Sequence, residues 1–132
     1  MNLRFIGARI LLMIDFFSHS SFNKEIAGLK RRFNHIEDGI DSFKKLCEVQ
    51  FHPESPRQII SPGKLHRVTQ NDIWALWKIE LAVKGIRSNK SPRVWFAIKG
   101  TTIVFLSAQT HSDNYSDNKI NIVASDRASE FF

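Results

Sequence analysis

The order of apolar patterns along the chain predicts an α+β domain, β-α-α-β-β-β-α. It would be a small, twisted, mainly antiparallel sheet with two N-terminal helices packed on one face and a short C-terminal helix. Three observations carry this prediction. Two consecutive stripes recur at helical spacing: Phe22, Ile26, Leu29, Phe33, then Ile36, Ile40, Phe43, Cys47. Three runs, residues 73–81, 93–99 and 102–109, alternate or are wholly apolar, with only short turns between them. The 132 residues are 42% apolar, with 11 Phe and 3 Trp, which suffices for one core and one domain over 1–132.

Residues 1–8 read as a loose leader. Residues 9–17 form an apolar run and are predicted as one strand covered on both faces. Basic residues before "ILLMI" resemble a signal peptide. However, the run is only five residues, Asp15 interrupts the apolar pattern after it, and no small-x-small cleavage pattern appears. It is also too short to span a bilayer. "SHSS" supplies a helix cap, and a first helix follows over 21–33. Asn34 with Glu37 has capping-box spacing and opens a second helix over 36–50. "FHPESPRQIISPGK" holds three of the four prolines and reads as a loop. In 73–81 the residues Ile73, Ala75, Trp77, Ile79 and Leu81 share one face, and Trp74, Leu76, Lys78 and Glu80 the other. In 93–99, Val94, Phe96 and Ile98 oppose Arg93, Trp95, Ala97 and Lys99. The apolar sides suit the helices. The other side is expected to carry Lys78, Glu80, Arg93 and Trp95, with Glu80 near Arg93 in an antiparallel register. The 102–109 run is apolar on both faces, as a central strand is. "THSDNYSDN" is a polar loop, and Ile120, Val123, Ala124, Arg127, Ala128 and Phe131 mark a tail helix over 119–132.

The formal charge is +6 and the sequence pI about 9.8, which favours a polyanionic partner such as nucleic acid, an acidic protein or a membrane surface. The single cysteine excludes an internal disulfide and fits a reducing cytoplasm. At helical spacing from Phe43, Cys47 reads as a core thiol. The five histidines are scattered, with no metal-ligand spacing, so neither metal nor cofactor is expected.

Several pieces taken in order, "SFNKEIAGLKRRFNHIEDGIDSFKKL", "GKLHRV", "WKIEL", "SPRVWFAIKG" and "TIVFLSAQTHSDNY", resemble the RelE/ParE toxin superfamily of toxin–antitoxin modules. The resemblance runs from about Leu11 to the end. It implies a cytoplasmic toxin bound by a cognate antitoxin protein in a hetero-oligomer, with no membrane role. RelE-like members are metal-free endoribonucleases that cut mRNA on the ribosome and arrest translation. ParE-like members poison DNA gyrase instead, and a degenerate copy would only bind its antitoxin. By the resemblance, Lys78 matches a basic site residue and Arg93 the arginine at the scissile phosphate. Glu80 stands where the type member has another lysine. His111 falls close to a recurring basic or histidine position, and Tyr115 near the C-terminal aromatic position. The lysine-rich stretch usual after the last strand is replaced by "THSDNYSDN".

Metal-free RNA cleavage uses the 2′-hydroxyl as nucleophile. It needs a base for that proton, an acid for the 5′-oxygen and positive charge on the phosphate. Arg93 suits the phosphate because a guanidinium grips two oxygens. His111 or Glu80 is the base, with His favoured because an imidazole's ordinary pKa of about 6.5 lies near working pH. Tyr115 exchanges a proton or stacks on a base, and Trp95 stacks. Lys84, Arg87 and Lys90 are candidate RNA contacts. The plainer alternative is a solvated face with a Glu80–Arg93 ion pair, a partner-contact Trp95, a loop His111, and a Tyr115 packed on the tail. Lys64 and His66 read as structural.

Overall fold

A computed structural model of the chain describes residues 3–6, 9–110 and 116–132. Strands β1 (Leu3–Ile6) and β2 (Arg9–Leu12) form a separate antiparallel hairpin. The main sheet holds β3 (Asp15–Ser18), β4 (Leu65–Gln70), β5 (Ala75–Glu80), β6 (Arg93–Lys99) and β7 (Thr102–Gln109) in the order β3-β7-β6-β5-β4. Only the β3–β7 pairing is parallel. Helices α1 (Ser20–Leu29) and α2 (Ile36–Gln50) link β3 to β4, and α3 (Asp117–Phe131) ends the chain. The class is α+β.

The expected single strand over 9–17 is two strands in different sheets. The cause lies in the partner. β7 starts at Thr102, after a turn at Gly100 (φ 59°), and Asp15 donates its N–H to Thr101. Residues before Asp15 therefore run past the start of β7 and pair in the hairpin instead. A second addition is β4, which begins in "GKLHRV" and runs on to Gln70, on the sheet's edge. Only Leu65 of that strand is buried, so it carries little apolar signal. Ile73 was expected on the helix-packed face but is exposed. Asn71 Oδ1 accepts the N–H groups of Ile73 and Trp74, turning the chain before β5 begins.

The helices follow from their stripes. α1 begins at His19, whose Nδ1 accepts the Ser21 N–H at 3.1 Å. It stops at Leu29, four residues short of expectation, and a turn carries Phe33 into the core. The capping box expected of Asn34 and Glu37 does not form. His35 occupies the cap position without a side-chain hydrogen bond to the helix backbone, and Glu37 pairs with Lys30 at 3.2 Å. Glu37 and Asp38 still sit at the positive end of the helix dipole. Gly39 lets α2 press on the chain after β5, because a Cβ there would stand 2.7 Å from the Ala82 carbonyl oxygen.

Two buried layers sandwich the sheet. On the α1/α2 side, Ile79, Val94, Phe96, Ile103 and Phe105 meet Phe22, Ile26, Ile40 and Phe43. Phe22 and Phe105 lie 5.4 Å apart between centroids, and Phe43 and Phe96 5.3 Å. Each fully buried Phe contributes roughly 2–3 kcal/mol. On the other side, Leu76, Trp95, Ala97, Val104 and Leu106 lie under α3, which approaches closely through Ala124 and Ala128. This second layer corrects the expectation of an open charged face. The 51–64 loop is tied in as well: Gln50 Oε1 accepts the Ile59 and Ile60 N–H groups, and Ile60 is buried.

β3 covers only the first half of β7. Beyond it, side chains take over the edge. Arg127 Nη1 donates to the Leu106 carbonyl at 2.7 Å, and Glu25 Oε1 accepts the Ala108 N–H at 3.2 Å. The two side chains pair with each other at 2.9 Å, which joins α1, β7 and α3.

Urea unfolding checks these contacts. Gly39→Ala should destabilise by about 1 kcal/mol or more, since overpacking against backbone (roughly 1–3 kcal/mol) outweighs a helix-propensity gain of about 1. Gly28→Ala, with open space around it, should instead stabilise by up to about 1 kcal/mol. Arg127→Met should cost about 2 kcal/mol by stranding Glu25 and the Leu106 carbonyl, and adding Glu25→Gln should cost much less than the sum of the single changes.

Candidate functional site

β5, β6 and β7 set the charged residues in two rows on the α3 side of the sheet. One cross-strand row is His66, Lys78, Trp95 and Ser107. The next, at the end of the sheet, is Glu80, Arg93 and Gln109. Glu80 is the last residue of β5 and Arg93 the first of β6. Arg93 Nη2 donates to Glu80 Oε1 at 3.0 Å, with the side chains only 15% and 24% exposed. The expected neighbourhood of Glu80 and Arg93 is thus a direct ion pair. The Lys64 carbonyl accepts the Glu80 N–H at 3.0 Å, so the segment before β4 holds the carboxylate's backbone in place. His66 is exposed and lies across from Lys78.

Lys78 is drawn toward α3. Its ammonium lies 3.2 Å from Asp117 Oδ2 and 5.8 Å from the centre of the Trp95 ring. Trp95 was expected to stack on RNA. It is fully buried, and its Nε1 donates to Asn121 Oδ1 at 2.8 Å. Neither ring face is open to a base, because α3 covers the strand position that alternation had put in water. His111 and Tyr115 lie outside the described residues.

Lys84, Arg87 and Lys90 are exposed on the β5–β6 connection, where Ser88–Lys90 forms a single 3₁₀ turn. Beside them is a groove of about 450 Å³, lined by Arg32, Phe33, Ile86, Arg87, Lys90 and Thr110 among others. Arg32 and Phe33 were absent from the sequence-based set, since "LKRRF" reads there as the polar and apolar faces of one helix. Among the described residues no cluster of three or more His, Cys, Asp or Glu side chains is placed to hold a metal ion, and no helix is long and apolar enough to cross a membrane.

No protein-family model, curated protein or solved structure matches this chain. Its residues and their geometry therefore carry the functional reading.

Cys47 takes no part in the site. It is fully buried on α2, and burial, helped by the Glu48 carboxylate, pushes its thiol far above the ordinary range. The thiolate is the reactive form, so the native protein should resist a thiol-specific disulfide reagent and take up one equivalent only once unfolded in guanidinium. Labelling at equal rates in the two states would show that the thiol is accessible.

Proposed function

We propose that the chain is a RelE-type toxin of a toxin–antitoxin pair, a cytoplasmic endoribonuclease that cuts mRNA on the ribosome and is neutralised by its antitoxin. The observation that carries this reading is the Glu80–Arg93 pair at the end of the sheet, joined by a connection bearing Lys84, Arg87 and Lys90. A guanidinium has five N–H donors, so Arg93 can keep Glu80 and still grip a phosphate. The base, His111 or Glu80, takes the 2′-hydroxyl proton. The 2′-oxygen then attacks the adjacent phosphorus, and the bond to the 5′-oxygen breaks as an acid, Tyr115 or a protonated His111, supplies its proton. A 2′,3′-cyclic phosphate and a 5′-hydroxyl result. Lys78 adds positive potential beside the site.

A second reading has its own observation. Both sheet-face cations already carry carboxylate partners, Arg93 with Glu80 and Lys78 with Asp117. Such a face suits a protein that only binds, whether a gyrase poison or a copy that pairs with its antitoxin without cutting RNA.

Induced expression with primer extension on a translated reporter decides between them. Wild type should arrest growth and leave cuts inside translated codons. Arg93→Ala should lower cleavage by about 10²–10³-fold, as expected for losing a donor to the developing charge. Growth arrest without cuts would move the target to gyrase, and no arrest would favour the binding role.

A further inference from the structure

We propose that the groove between the α1–α2 turn and the β5–β6 connection is a subsite for one nucleotide of single-stranded RNA, with its phosphate on Arg87 and Lys90. Among the described residues that line the groove none is acidic. Arg87 and Lys90 are exposed and carry no ion pair among the described residues, whereas Lys30 and Lys78 are paired. Two such cations over a concavity focus positive potential on it.

The floor supplies the second half of the match. Phe33 is buried, Ile86 is half-buried, and the guanidinium carbon of Arg32 lies 5.8 Å from the Phe33 ring centre. A planar cation laid on a ring, beside an aliphatic wall, is a surface on which an unpaired base stacks. An acidic peptide would satisfy the cations but leave that surface unused, while a nucleotide satisfies both. The groove is separate from the Arg93 pair. Thr110 in its lining follows Gln109, the cross-strand partner of Arg93, and Arg87 and Lys90 lie on the segment that leads into Arg93. A strand of RNA held in the groove is therefore held next to the sheet end. The choice of RNA as the anion rests on the nuclease reading above, and the groove itself rests on its own residues.

The test is an anisotropy titration of the full chain with an oligouridylate that is 2′-O-methylated throughout, so that cleavage plays no part, over a series of salt concentrations. The double variant Arg87→Gln/Lys90→Gln should bind about ten-fold or more weakly, and its log affinity against log salt should flatten by about 0.7, the change for one phosphate no longer neutralised on a single strand. Lys24→Gln/Lys45→Gln removes the same charge from exposed sites on α1 and α2 and should bind like wild type. Equal losses in the two double variants would overturn the groove and leave only general basicity. Tighter binding of polyglutamate than of RNA, lost in the groove variant, would overturn RNA as the occupant. Binding is read here without cleavage: RNA held through Arg87 and Lys90 by a chain that leaves no cuts on the reporter would fail the nuclease reading alone, whereas cuts by wild type with the groove variant binding like wild type would fail the groove alone.

Discussion

Half of β7 has a strand neighbour on only one side, and the rest of the molecule is arranged around closing that gap. β7 is buried on both faces, so its free N–H and C=O groups have little water to turn to. Glu25 and Arg127 stand in for the absent strand, one accepting from Ala108 and the other donating to Leu106. The direct attraction of the two charges is largely offset by their own desolvation, so the ion pair adds little by itself. The larger contribution is the satisfied backbone. Because Glu25 comes from α1 and Arg127 from α3, the same bonds hold a helix on each face of the sheet at one height. This fixes the row of Glu80, Arg93 and Gln109 relative to both helices.

That arrangement explains what the residue pattern reveals and what it hides. β6 and β7 have the spans expected of them, as does α2, because alternation and the helical stripe there are set by burial against a neighbour that is close in sequence. Where an end depends on a distant partner, the local pattern is silent. Residues 9–17 are mostly apolar, yet the start of β7 decides where they divide. β4 is an edge strand with one buried residue, so its pairing with β5 leaves no apolar alternation to read. α3 was legible as a helix, but its target was not. Ala124 and Ala128 are too small to announce an interface, and they are what lets the helix lie close over Trp95. The same miss explains the misplaced role of Trp95: a tryptophan on the charged side of an alternating strand reads as exposed until something covers it. The groove was hidden for a similar reason, as Arg32 and Phe33 face Ile86 and Arg87 only after the chain has folded back.

The charges at the sheet end are held rather than displayed. A guanidinium and a carboxylate at 15% and 24% exposure would each be costly alone, and each makes the other tolerable. A phosphate arriving at Arg93 meets a cation whose positive field Glu80 has already partly cancelled, so it needs help from elsewhere to displace water and settle. Lys78 adds only part of its positive potential there, being shared between Asp117 and the Trp95 ring. The exposed cations of the β5–β6 connection are in a different position: nothing among the described residues neutralises Arg87 or Lys90, and the chain that bears them runs directly into Arg93. Attraction and chemistry are thereby divided. The connection gathers a polyanion at little structural cost, because its residues are exposed. The buried pair stays ordered without one, because its partner is built in. In that division the Glu80–Arg93 pair acts as a preformed slot, held by β5 and β6 in a fixed register, and the affinity for the strand comes from residues outside it.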